Sequence, residues 1–348
     1  MACNKSLGLD IGGANLKAAD GCGRACSLPF ALWREPHQLA TRLSVLRSEL
    51  DRISGRHAKW DVLAITMTGE LCDCFTSRSE GVHAILEAVD RVFPDTSKLV
   101  WSSRGDFLTF DQARVRPLEV ASANWLATAH LCSRFLSSGE DAIVIDIGST
   151  TTDLTPIRGG TPVPFGRSDL ERLRSSELIY RGIRRTPLMA LAEHVFFQGR
   201  FTNIMAERFA TTEDVYLVLG DLPERPHETE TADGRPATRQ FALQRLARMV
   251  GTDAGLHDEA DLLDLARQFD AAMCRQLRNA LWRVMARSLP GSKPKAFLCG
   301  SGEFLARRVV EESGLEFSEV VALSERFGPA VSECICAYAV AVLAEGTR

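Results

Sequence analysis

The sequence predicts an α/β protein whose two related halves close on a central cleft, and three observations predict it. A short motif occurs twice, as Leu9-Asp10-Ile11-Gly12-Gly13-Ala14-Asn15-Leu16-Lys17 and as Ile145-Asp146-Ile147-Gly148-Ser149-Thr150-Thr151-Thr152-Asp153. Each copy is an apolar run, a tight turn of small residues and a second strand-like run, which reads as a β-hairpin. Strands then alternate with amphipathic helices, the pattern of an α/β layer. Finally, Ala296 to Leu305 repeats strand, glycine turn and helix start around Gly300-Ser301-Gly302. Glycines let backbone approach a ligand, and successive N–H groups in such turns make a concavity for anions. An Asp at the strand end can hold a hard cation such as Mg²⁺. Two copies suggest two halves clamping one phosphate-bearing ligand.

The length of 348 residues suits two domains. We place them at residues 1–138 and 139–348, divided at Ser137-Ser138-Gly139, with a mostly helical insertion at about 166–290. A net charge of −4 and a pI near 6.0 give no general pull towards nucleic acid. No run reaches the ~20 apolar residues of a membrane span, and the N-terminus lacks a signal-peptide core, so a cytoplasmic protein is expected. Oligomeric state is not encoded in any motif. The ten cysteines sit mostly in apolar patterns and read as free buried thiols. Cys72-Asp73-Cys74 and Cys334-Ile335-Cys336 lack the spacing of structural zinc sites, and the seven His lack a zinc-protease pattern.

In order, Ala25 to Trp33 reads as a third strand, and Pro36 opens a helix to about Ile53 with Leu39, Leu43, Leu46 and Leu50 on one face. Asp61 to Thr66 is a buried parallel strand leading into Thr66-Met67-Thr68-Gly69-Glu70-Leu71, a loop at a strand's carboxyl end, where open α/β sheets bind ligands. Glu80 to Phe93 is a helix, Lys98 to Trp101 a strand, and Val120 to Leu136 a helix whose small residues favour close packing. Tyr180 to Pro187 is basic and broken, either a surface loop or an anion-recognition loop, since arginine's fork matches carboxylate and phosphate. Leu222 to Thr238 is a polar loop or lid. Glu213–Leu219, Arg239–Val250 and Glu259–Ser288 read as helices, Val320–Leu323 as a strand and Pro329–Leu343 as a closing helix.

The two Asp-Ile-Gly hairpins with the later strand–glycine–helix turn resemble the actin/hexokinase/Hsp70 superfamily. That resemblance implies two ribonuclease-H-like domains around a cleft, the fold of actin-like ATPases and sugar kinases. It implies that Gly12 and Gly13, with Asn15, form a first phosphate loop and that Gly148, Ser149, Thr150 and Thr151 form a second. Gly300, Ser301 and Gly302 fall at the adenosine turn, where they would meet phosphate or ring. Asp10 and Asp146 fall at the metal-facing positions. Lys17 is either a phosphate contact or a solvated strand end.

More narrowly, Gly8 to Asn15, Thr66 to Leu71, Ala123 to Ala127, Asp146 to Asp153, Arg185-Thr186-Pro187 and Asp233 to Pro236 resemble the methylofuran-biosynthesis synthases, a branch of the hydantoinase/oxoprolinase-like group. The implied reaction joins (5-aminomethylfuran-3-yl)methyl diphosphate to γ-glutamyltyramine and releases diphosphate, with Mg²⁺ and no nucleic-acid or membrane partner. Phenol has a pKa near 10, so a base is needed, and Glu70 and Asp153 are the candidates. Glu70 alternatively caps its turn, and Asp153 alternatively supports a metal. Thr66, Thr68 and Asn124 are expected to touch substrate, and Arg184 and Arg185 to meet the glutamyl carboxylate or the diphosphate. The same loops would serve an ATP-dependent kinase or hydrolase, or an actin-like nucleotide-sensing module, so ATP stays open here.

Overall fold

In the computed structural model, which describes residues 6–54 and 60–346, the two hairpins open two sheets of matching strand order. Strands β1 (Ser6–Ile11), β2 (Asn15–Asp20), β3 (Ala25–Pro29), β4 (Val62–Met67), β5 (Ser97–Trp101) and β6 (Phe107–Thr109) form the first, ordered β3-β2-β1-β4-β5-β6. The second half supplies β7 (Ala142–Ile147), β8 (Thr152–Arg158), β9 (Thr161–Pro162) and β10 (Leu178–Ile179). After a separate hairpin of β11 (His194–Phe197) and β12 (Arg200–Asn203) come β13 (Lys295–Cys299) and β14 (Glu319–Ala322). Its order is β10-β8-β7-β13-β14, with β9 on β8. In both sheets the hairpin's first strand is central, antiparallel to its partner and parallel to a later strand. These are two ribonuclease-H-like halves, the actin-like ATPase and sugar-kinase fold.

Strand alternation decides what faces the cleft. Leu7, Leu9 and Ile11 enter a core on the outer side of the first sheet, with Leu39, Leu43 and Leu46 of the helix Leu39–Ser54. Their neighbours Gly8 and Asp10 therefore face the space between the sheets. Likewise Ile143, Ile145 and Ile147 pack outward on the helices Thr212–Leu219, Arg239–Met249 and Glu259–Ser288, leaving Val144 and Asp146 inward. A third core lies between the sheets and holds the helices Asn124–Ser133 and Ile335–Glu345. Ile335–Glu345 packs on β1, β2 and β4, although it follows β14 in sequence, whereas Asn124–Ser133 reaches β7, β8 and β9. Gly8 is needed for this approach: a Cβ there would lie 1.9 Å from the Ala337 carbonyl oxygen.

Two expected helices are broken. Val120–Leu136 divides into Pro117–Val120 and Asn124–Ser133, with Ser122 at φ +50° between them. Pro329–Leu343 divides at Cys334 into Pro329–Glu333 and Ile335–Glu345. Free thiols are found at eight cysteines, but Cys22, in the turn after β2, is disulfide-bonded, which corrects the expectation there. Among the described residues no helix is long and apolar enough to cross a membrane.

Candidate active site

The cleft floor follows from the ladder registers. Asp10 lies opposite Lys17 on β2, and Asp146 opposite Asp153 on β8. With Asn124 and Thr68 these groups line a chamber of about 110 Å³ at the meeting of the two turns. Asp10 is 6% exposed, and its Oδ1 has no hydrogen-bond partner among the described residues. Burial pushes its pKa up to about 6, against the pull of Lys17 and Asn124. Burial, and then the nearby Asp153 carboxylate, push Asp146 up to about 7, with Lys17 opposing. Burial works against the Lys17 ammonium, but Cys334 and the Asp10 and Asp146 carboxylates outweigh it and raise its pKa. Lys17 Nζ donates to the Glu333 carbonyl at 2.7 Å, which aims it along the floor.

The two turns are built alike. Gly12 N–H donates to Asn15 O at 3.0 Å, and Gly148 N–H to Thr151 O at 2.9 Å. The N–H groups of Gly13 and Ala14 in one turn, and of Ser149 and Thr150 in the other, have no partner among the described residues. Asn15 Nδ2 donates to Ser149 Oγ at 3.3 Å and ties the turns across the cleft. Gly182 packs directly behind the second turn, where a Cβ would lie 2.4 Å from Thr150 N. Mg²⁺ fits this floor. It characteristically takes one or two carboxylates with phosphate and water, and the orphaned Asp10 Oδ1 beside Asp146 offers hard oxygen donors. No cluster of three or more acidic, His or Cys groups that could hold a metal occurs among the described residues, so phosphate and water would complete the shell.

Two larger chambers flank the floor. One, of about 500 Å³, has Asp153, Asp169, Trp125 and Tyr180 in its wall, and also Gly13, Thr68, Asn124, Thr150 and Thr151. The other, of about 410 Å³, is lined by Asn15, Ser149, Arg184 and further arginines. Ala14 touches all three chambers, while Trp33 and Arg185, stacked at 4.0 Å, separate the larger two. Arg172, 1% exposed, donates to Asp153 Oδ1 at 2.8 Å and to Glu177 O at 3.1 Å, and its guanidinium lies 3.8 Å over the Trp125 ring. Burial raises the Asp153 pKa although Arg172 opposes it.

Three expectations need correction. Glu70 lines none of these chambers: it is 1% exposed, turned under the helix Arg78–Val92, and accepts from Ser122 Oγ at 2.7 Å and from Arg78 at 3.4 Å. Burial raises its pKa against the Ser122 bond, but a group shut in the wall is no base for a substrate in the cleft. Thr66 is fully buried within β4 and lines no chamber either. The turn at Gly300, Ser301 and Gly302 does not offer its two glycine N–H groups to a phosphate. Gly300 N–H is spent on Ser332 O at 3.2 Å and Gly302 N–H on Ile147 O at 2.8 Å. A Cβ at Gly300 would strike Asp146 Oδ1 at 2.4 Å, so the turn exists for close packing behind the aspartate. Arg184 reaches the cleft but is held at 2.5 Å by Glu213. Sequence reading missed Trp33, Trp125 and Arg172. Trp33 beside Arg34 in a loop was the available signal, whereas Trp125 and Arg172 lie on the helices Asn124–Ser133 and Asp169–Ser175 and gave none.

Two ribonuclease-H-like halves around a cleft floored by paired aspartates define the fold class, one shared with actin-like ATPases and sugar kinases. The hydantoinase/oxoprolinase family model matches residues 61–345. A protein of Methanocaldococcus jannaschii, (4-{4-[2-(γ-L-glutamylamino)ethyl]phenoxymethyl}furan-2-yl)methanamine synthase, is 30% identical over 340 residues, covering 97% of this chain and 96% of that protein. The same-named protein of Methanococcus vannielii is 30% identical over 215 residues, 61% of this chain and 95% of that protein. Among solved structures, nucleotide-free acetone carboxylase aligns with a TM-score of 0.49 at 14% identity, over 90% of this chain and 46% of that chain. The chain belongs to the hydantoinase/oxoprolinase family, in its branch of methylofuran-biosynthesis synthases, and is an enzyme.

Proposed function

We propose that the enzyme condenses (5-aminomethylfuran-3-yl)methyl diphosphate with γ-glutamyltyramine, forming an aryl ether and releasing diphosphate. One observation carries the reading: two turns present unpartnered N–H groups over Asp10, Asp146 and Lys17, while the third glycine turn has its Gly300 and Gly302 donors spent on the protein. With two of its three backbone donors committed to the protein, that turn offers little to a nucleoside end, so the clamp suits a small diphosphate ester better than ATP. Gly13, Ala14, Ser149 and Thr150 would turn their N–H groups to the diphosphate, in turns closed by the Gly12–Asn15 and Gly148–Thr151 bonds, with Lys17 reaching it from the floor. Mg²⁺, held by Asp10 and Asp146, would supply charge neutralisation for the departing diphosphate.

The residues then divide the work. Donors placed where negative charge develops stabilise the transition state most, which is the part assigned to the turns and Lys17. The C–O bond to phosphate breaks as the phenol oxygen attacks the furanylmethyl carbon. The phenol proton passes to Asp153, whose Oδ1 is pinned by Arg172, leaving Oδ2 for the transfer. Thr68 and Asn124 line the floor where the reacting carbon would sit.

The test incubates the purified chain with both substrates and Mg²⁺, with and without ATP, following diphosphate and the ether by mass spectrometry. Diphosphate release that requires the tyramine substrate and ignores ATP is expected. Nucleotide turnover without ether would replace the reading with an ATP-dependent one.

A further inference from the structure

The chamber of about 410 Å³ is lined by Arg34, Arg42, Arg184, Arg185, Arg208 and Arg225, against Glu35, Glu213, Glu228 and Glu230. Three arginines are accounted for: Arg184 and Arg225 share Glu213, and Arg34 pairs with Glu230 across the two halves. Arg42, Arg185 and Arg208 have no carboxylate partner among the described residues. Arg185 is half-buried against Trp33, and burial, then the nearby Arg208 charge, lower its pKa. Two neighbouring guanidinium groups without a paired carboxylate are an unfavourable arrangement until an anion arrives.

Asn15 and Ser149 edge this chamber as well as the floor, but the charged groups assigned to the diphosphate do not. Asp10, Lys17 and Asp146 line the small floor chamber and not this one. Chemistry separates the two large chambers in the same way. The chamber of about 500 Å³ carries Asp73, Asp153 and Asp169 against Arg172 and Arg185, and Arg172 is already bonded to Asp153, so that chamber's charges are closer to balance. The arginine chamber favours a carboxylate, and within the substrates of the proposed reaction only the glutamyl head carries one. Ala14, common to all chambers, marks where a phenol held by its far end would enter the floor.

We propose that Arg185 and Arg208, with Arg42 at the mouth, form a carboxylate site that binds the glutamyl end of the acceptor and selects it over acceptors lacking a carboxylate. The proposal rests on the synthase reading. Arg208 is exposed, so Arg208→Gln should fold normally. Removing one charge-assisted bond to the carboxylate should lower the preference for γ-glutamyltyramine over tyramine, as a ratio of kcat/KM values, by about tenfold or more. The loss should fall on KM rather than kcat, and inhibition by inorganic diphosphate should be unchanged. An unaltered preference, or weakened diphosphate inhibition instead, overturns the carboxylate site. Calorimetric titration of γ-glutamyltyramine alone reads the chamber without turnover. If the wild-type chain makes no ether yet binds γ-glutamyltyramine through Arg208, the synthase reading fails and the carboxylate site stands. If the wild-type chain does not bind it, the site is overturned.

Discussion

At the scale of single residues, the cleft works by holding charges where water is scarce. Arg172 is the clearest case, because it sits buried against Trp125 and fixes Asp153. Breaking a buried pair strands the remaining charge. Arg172→Met should therefore cost about 3 kcal/mol of stability, read from urea unfolding, and lower kcat as Asp153 loses its position. Glu70→Gln should instead leave kcat within about threefold and cost about 1 kcal/mol of stability, since its partners Ser122 and Arg78 are structural. A large loss in the chemical step would restore Glu70 to the mechanism. Asp10 and Asp146 carry a pH signature. Their folded pKa values of about 6 and about 7 exceed the ordinary 3.8, so the folded chain keeps protons that the unfolded chain has released. Without divalent cation, stability should then fall as pH rises from about 4 to about 7. Mg²⁺ binds the deprotonated form, so it should raise Tm more at pH 8 than at pH 5.5, as differential scanning fluorimetry would show. The inward direction of Asp10 and Asp146 was legible because strand alternation fixes it. Glu70 was not, since the 3₁₀ turn Gly69–Leu71 rolls its side chain under a helix, and a loop sequence does not record that rotation.

At the scale of elements, the turns depend on their backing. Gly182 touches Ser149 and Thr150 so closely that Gly182→Ala must displace the second turn's backbone. Overpacking of this kind costs roughly 1–3 kcal/mol. The variant should lose at least tenfold in inhibition by diphosphate, measured against wild type in steady-state assays, while a merely destabilised protein would bind normally at low temperature. Helices with a clean apolar face, such as Glu259–Ser288, were fully legible in the sequence. The breaks at Ser122 and Cys334 were not, because helix-compatible residues run straight through both. Tertiary demands set them: Ser122 adopts φ +50° while bonding Glu70. The hairpin of β11 and β12 was not legible either, since its Phe196 and Phe201 lie exposed and give no inside-outside alternation.

At the scale of the whole molecule, the halves are joined by polar contacts around the cleft and by a shared apolar layer beneath it. Asn15 to Ser149, Arg34 to Glu230 and Ser122 to Asp169 all cross from one half to the other. A ligand bridging both turns should therefore stabilise the protein as one unit. Diphosphate with Mg²⁺ at about 100 times its Kd should add about 2.7 kcal/mol, seen in calorimetry as a single transition moved upward. Two transitions of which only one responds would mean that the halves melt independently. The repeated hairpin made the two-half plan readable in advance, but nothing in the sequence tells that residues 335–345 return to the first sheet. That return has a consequence for how the protein comes into being. β1 is synthesised before the second half, yet among the described residues Ile335–Glu345 is the helix packed on its inner face, and Ser6 meets Glu345 at 2.7 Å. The first half must therefore wait through synthesis of nearly the whole second half with an apolar face bare, the state in which nascent chains most need chaperones. Docking that helix onto β1 ties completion of the first half to synthesis of the second.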